Sequence, residues 1–231
     1  MSVHFGNGQK VTRTSGLPDT TTSFSIVIVF QGLSFGTDFM QVFEITGSGG
    51  IAIGIDSDEV TANAFGAYVS DGGVDACDVT AASSTAWTGV GITHDGATTS
   101  YKVYKVLEGD TSATLVDTLT TGVEGNYTAA GVGDDPGVAA DVNVSSFGMF
   151  ASELTAAQVF EVITTMSRDG SADNTWLPFD TAATAGTNKG TAGAYTVTGT
   201  PTDAAAEPAF GKPLMPWTAS ERVNKNTLLR L

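Results

Sequence analysis

Carboxylates are the most plentiful ionisable groups in this chain, and their spacing decides what chemistry they can support. Asp56-Ser57-Asp58-Glu59 and Asp134-Asp135 crowd oxygen donors into loops, which is the ligand type a hard cation such as calcium takes. Asp is equally a good turn residue, so bound calcium and a plain acidic turn are the two expectations for Asp56, Asp58, Asp134 and Asp135. Glycosidic-bond cleavage needs two carboxylates flanking one bond. The Glu-x-Asp-x-x-Glu spacing that would set such carboxylates on one strand face is absent here, and Glu44 is followed by Ile45-Thr46-Gly47. His4, in a terminal strand, and His94, in a turn, offer little for a metal or triad site and read as solvated or locally hydrogen-bonded. Cys77 lies between Asp75 and Asp78, a negative setting that raises a thiol pKa. It reads as a small buried filler and not as a nucleophile. Tyr68, Tyr127 and Tyr195 are candidates for stacking on a sugar, although tyrosines at strand spacing also serve as core. No catalytic residue is expected, so the chain is read as a non-enzyme.

The elements that must hold these groups are mostly strands. Phe24, Ile26, Ile28 and Phe30 alternate with Val27 and Val29, so the Ser23–Leu33 stretch reads as a central strand covered on both faces. Further strands are expected at Val3–Phe5, Gln9–Arg13, Asp38–Thr46, Gly50–Ile55, Ala64–Ser70, Leu115–Thr121 and Tyr127–Gly133, separated by Gly, Asp and Ser turns. Trp87–Leu107 reads as a hairpin turning at His94-Asp95-Gly96. Val142, Val144, Phe147, Met149 and Phe150 then make a buried strand before Ala151. One helix follows. Thr155 and Gln158 have capping-box spacing, Leu154 and Val159 staple spacing, and Val159, Val162, Ile163 and Met166 form one apolar stripe.

The run from Ser145 to Met166, a strand, an Ala-Ser-Glu-Leu-Thr corner and a short amphipathic helix, resembles the late signature of laminin-G-like domains of the concanavalin A-like superfamily. Trp87 opening a strand that ends in a polar Asp-Gly turn, with Tyr101 on the next strand, is similar to the middle of such domains. Asn174–Asp180 (NTWLPFD) and Lys189–Asp203 are similar to elements that often begin them. The resemblance implies an all-β, two-sheet, antiparallel jelly-roll-like sandwich over residues 1–206 whose terminal strands lie side by side. It also implies a rim calcium, although Ser145 and Ser146 stand where an acidic pair often precedes the signature strand. Domains of this kind occur in bacteriophage virion proteins, of decoration or tail type.

Composition narrows the partners. With 41% hydrophobic residues there is enough apolar material for a sizeable core. A net charge of −15 repels nucleic acid and anionic membranes, so neither is an expected partner. The opening MSVHFGNGQK has no basic region followed by an apolar one, so no secretory signal is read and synthesis in a host cytoplasm is expected.

Residues 207–231 differ from the rest. Four basic residues against two acidic ones give this stretch +2, which leaves −17 on the preceding 206 residues. Three of the 7 prolines fall here, and Phe210, Leu214, Met215, Trp217, Leu228, Leu229 and Leu231 follow no strand or helical period. The stretch, with Arg222, reads as an arm that docks on another chain. The leading expectation is therefore a structural protein of a virus particle, a phage capsid decoration or other virion surface protein. Its partners would be other virion proteins such as the major capsid protein, or further copies of itself. The alternative is a carbohydrate-binding adhesion module, calcium-dependent or not, that recognises a surface glycan.

Overall fold

The computed structural model describes residues 2–34, 40–121, 125–133, 141–165, 175–191, 193–204 and 207–210. The strands are β1 (Val3–Phe5), β2 (Lys10–Arg13), β3 (Phe24–Gly32), β4 (Gln41–Gly47), β5 (Ile51–Ser57), β6 (Phe65–Asp71), β7 (Val74–Asp78) and β8 (Thr88–His94). They continue as β9 (Ser100–Leu107), β10 (Thr114–Thr120), β11 (Tyr127–Gly133), β12 (Val142–Phe150), β13 (Thr175–Leu177), β14 (Thr196–Thr198) and β15 (Thr202–Asp203). One α-helix, α1 (Ala156–Thr165), lies between β12 and β13.

These strands make two antiparallel sheets packed as a sandwich. The larger has the order β10-β9-β8-β3-β12-β1-β15, with β13 beside β12, and the other β14-β2-β11-β4-β5-β6-β7. Their inward residues form one core, in which Phe24, Ile26, Ile28 and Phe30 of β3 meet Phe43, Ile45, Ile53 and Val69 of the opposite sheet. The terminal strands do lie side by side, with Val3 opposite Asp203 and His4 opposite Thr202.

The second face of β3 is covered as expected. Val27 and Val29 join Val159 and Ile163 of α1 in a separate apolar cluster with Trp87, Phe150, Leu154 and Trp176. Val159 lies over Gly91 and Ile163 over Gly89, so close that a Cβ on either glycine would collide with the helix side chain. The glycines of β8 thus set the depth at which the helix sits. Its start is tied as the sequence foretold: the Thr155 N–H donates to Gln158 Oε1 at 2.9 Å, and the Gln158 N–H reaches Thr155 Oγ1 at 3.4 Å. Thr155→Ala should therefore lower stability by about 1 kcal/mol, read as a shift of the denaturation midpoint with the folded baseline unchanged.

Three expectations change. β7 has no counterpart in the sequence reading, because it is an edge strand with an Asp on each face and only Cys77 of it buried. His94 is the last residue of β8 and not part of the turn, and it is 1% exposed. The family-like element over Lys189–Asp203 holds two short strands in different sheets: β14 pairs with β2 in one and β15 with β1 in the other. Gly199, at φ +74°, and Pro201 lie between them. A left-handed residue and a missing N–H break the ladder there and let the chain change sheets. At the opposite edge, β10 pairs with β9, and a bulge between Leu115 and Asp117 interrupts that ladder.

Candidate functional site

Register on the seven-stranded sheet builds a surface across its outer face. Thr196, Thr12, Gly131, Glu44, Gly54, Tyr68 and Ala76 stand opposite one another in a single row from β14 to β7. Because side chains alternate, Val11, Val132, Phe43, Ile53 and Val69 point inward while this row points out. Gly131, Gly54 and Ala76 bring little bulk to the row, Tyr68 folds over Gly54, and a trough is left over β11. Its floor is Ala129 and Gly131 of β11, one wall is Lys10, Thr12 and Thr14, and the other is Gln41, Glu44 and Thr46, with a volume of about 130 Å³. A Cβ added at Gly131 would meet only Thr12 Cγ2 at 3.7 Å and the Val11 carbonyl at 3.9 Å, so the floor is open above.

Glu44 is held in place. The Tyr68 ring lies against Gly54, where a Cβ would come within 2.7 Å of it, and the Tyr68 hydroxyl donates to Glu44 Oε1 at 2.9 Å. Burial, reinforced by Asp56, Glu44 and Glu59, pushes the Tyr68 pKa far above the ordinary phenol value, so it stays a donor. Burial likewise raises Glu59. The other cation beside the trough, Arg13, is used structurally: its side chain donates to the carbonyls of Ser15 and Gly193 and stacks on Tyr195.

The remaining candidates are distributed as follows. Tyr68, Tyr127 and Tyr195 are 5%, 7% and 5% exposed, so none is a platform for a sugar ring. The sequence cannot distinguish a tyrosine on an inner face from one folded down over a glycine on the outer face, and Tyr68 is the second kind. Asp58, in the left-handed region at φ +65°, accepts the Asn63 N–H and the Ser57 hydroxyl, so it fastens its own turn. Asp56 is across from Gln41 on β4. Among the described residues no three His, Cys, Asp or Glu side chains gather where they could hold a metal. Asp134 and Asp135 lie outside the described residues, as do Leu214, Met215, Trp217, Arg222, Leu228, Leu229 and Leu231.

Phe210 differs from its expected place on another chain. It is 4% exposed and packs in the helix-side cluster of its own chain, and the Ala209 N–H donates to Glu108 Oε1 at 2.5 Å. Cys77 is buried, and burial with Asp117, Asp78 and Asp75 pushes its thiol up to about 12. Asp117, from β10, is a contributor the linear sequence does not reveal.

The two histidines do not come together. His94 stacks on Tyr101 at 4.5 Å, and its ring nitrogens face the carbonyls of Ser100 and Thr20 at 3.0 and 2.6 Å. His4 Nε2 meets Asp141 at 2.9 Å and its Nδ1 lies 3.4 Å from the Thr202 hydroxyl, in a wide shallow groove on the other sheet. These contacts tie strands and loops together.

No family model matches the chain and no curated protein matches it. Solved structures do. A Bacteroides ovatus protein assigned provisionally to carbohydrate binding superposes with a TM-score of 0.63 at 14% identity, over 90% of this chain and 61% of that one. The heptameric SAP-like pentraxin of Limulus polyphemus gives 0.51 at 12% identity, over 73% of this chain and 82% of its own. Mouse laminin α1 domains LG4-5 give 0.47 at 9% identity, over 67% and 43%. The chain spans about three-fifths of the Bacteroides protein. At these identities the likeness is one of fold: the two-sheet antiparallel sandwich.

Proposed function

We propose that the protein is a non-enzymatic binding module that holds a neutral, polyhydroxylated ligand, a unit of a glycan, in the trough across β2, β11 and β4. The trough's construction carries this reading. A floor of Ala129 and Gly131, with no side chain larger than a methyl, lets a sugar ring approach the sheet, and both walls bring groups that suit hydroxyls. Sugar hydroxyls both donate and accept, and here Lys10 donates, Glu44 accepts in an orientation set by Tyr68, and Thr12 and Thr46 do either. Lys10, Arg13 and Glu44 bring charges of both signs to the trough, while the net charge of −15 disfavours anionic glycans. The provisional carbohydrate-binding assignment of the Bacteroides structure agrees with this reading.

The test is a glycan array probed with labelled protein, followed by calorimetry on any neutral oligosaccharide retained. Wild-type protein should bind at least one, and Gly131→Leu should abolish that binding while leaving the melting temperature unchanged or higher, since Leu suits a strand better than Gly. Absence of any glycan binding, or binding that survives Gly131→Leu, overturns the reading.

A second reading is favoured by the tail. The two apolar clusters of the described residues lie on both faces of the larger sheet, and Leu228, Leu229 and Leu231 still follow far beyond Phe210 in sequence. On this reading the sandwich is a surface protein of an assembled particle, such as a phage capsid, docked through that segment.

A further inference from the structure

The face opposite the trough carries an apolar strip that stops short of being covered. Leu115 on the edge strand β10 stands opposite Tyr104 on β9 and is 51% exposed. Tyr104, Ala113, Phe160 and Val162 are half-buried at the margin of the cluster that contains Phe210. The strip therefore runs from α1 to the sheet edge, with Phe210 already seated in it.

We propose that the strip is occupied by the chain's own residues 211–217, with Leu214, Met215 and Trp217 covering Leu115, Tyr104 and Phe160. This inference does not depend on the trough. Position is the first argument. The Ala209 N–H bonds Glu108, in the turn joining β9 to β10, so the chain is delivered to the end of the strip. Reach is the second. Leu214 is four Cα steps beyond Phe210, up to about 14 Å when extended, against a strand spacing of about 4.8 Å. Charge is the third. Residues 211–231 hold four basic and one acidic residue, +3 against −18 for the rest, and Lys212 follows Phe210 closely where Glu108 and Asp110 line the β9–β10 turn. The first third of the tail is then held on its own body, and residues 218–231 are what remains to meet a partner.

The experiment uses the full chain carrying Leu115→Cys and Trp217→Cys, treated with a short bis-maleimide. Cys77 does not interfere, being buried with its thiol pushed up to about 12. An intrachain bridge in the monomer fraction is expected. In a second measurement, labelling of Leu115→Cys alone should rise several-fold when Leu214→Asp and Trp217→Asp are added. Bridges formed only between chains, no bridge at all, or a labelling rate indifferent to the tail substitutions each overturn the proposal.

Discussion

Val159→Asp should cost the protein several kcal/mol and, in a domain of ordinary stability, leave little folded material at 37 °C. Val159 is completely buried beneath α1, pressed against Gly91 of β8 beside Val27 and Val29. A carboxylate there loses its water without gaining a cation or a donor, a penalty of several kcal/mol per ion. Total stability of such domains is only about 5–15 kcal/mol. Val162→Asp, on the half-buried margin of the same helix, is the control and should cost much less. Denaturant titration of both variants reads the difference. If the two midpoints fall together, the helix is not docked through Val159.

Phe210→Ala should cost about 3 kcal/mol, the lower end for removing a buried Phe because its site borders solvent and can relax. The same number sets where the chain can be cut. A protein ending at Asp203 loses Phe210 and should melt earlier than one ending at Phe210 by that amount. Equal transitions for the two truncations would show that Phe210 adds nothing to the body.

The sequence showed the fold wherever apolar periodicity was undiluted. The two-faced burial of β3, the β12-to-α1 signature and the capping of Thr155 could be read because each needs only local spacing. Elements whose stability comes from elsewhere were not readable. β7 is a strand because β6 supplies its partner, with Cys77 opposite Ala67, and nothing in Val-Asp-Ala-Cys-Asp announces it. The trough was invisible for a related reason. Gly131, Glu44 and Thr12 lie on three strands far apart in sequence, and only the register of β11 against β4 and β2 lines them up. Phe210 was assigned to a partner because a count of strand positions does not show that Trp87, Val106 and Trp176 leave room for one more aromatic.

The pairing of first and last strands also sets a timetable for the nascent chain. β1 and β2 lie within the first 13 residues, yet their outer neighbours β15 and β14 come from residues 196–203. At about 5–20 residues per second the ribosome needs roughly 10–40 s to deliver those strands, so the outer edges of β1 and β2 stay unsealed for that interval. Closure of both sheets is a late event governed by contacts nearly 200 residues apart, the regime in which folding is slow. Prematurely released chains would therefore present open β-edges to one another, and cells making this protein quickly would rely on chaperones to hold them apart until the last strands arrive.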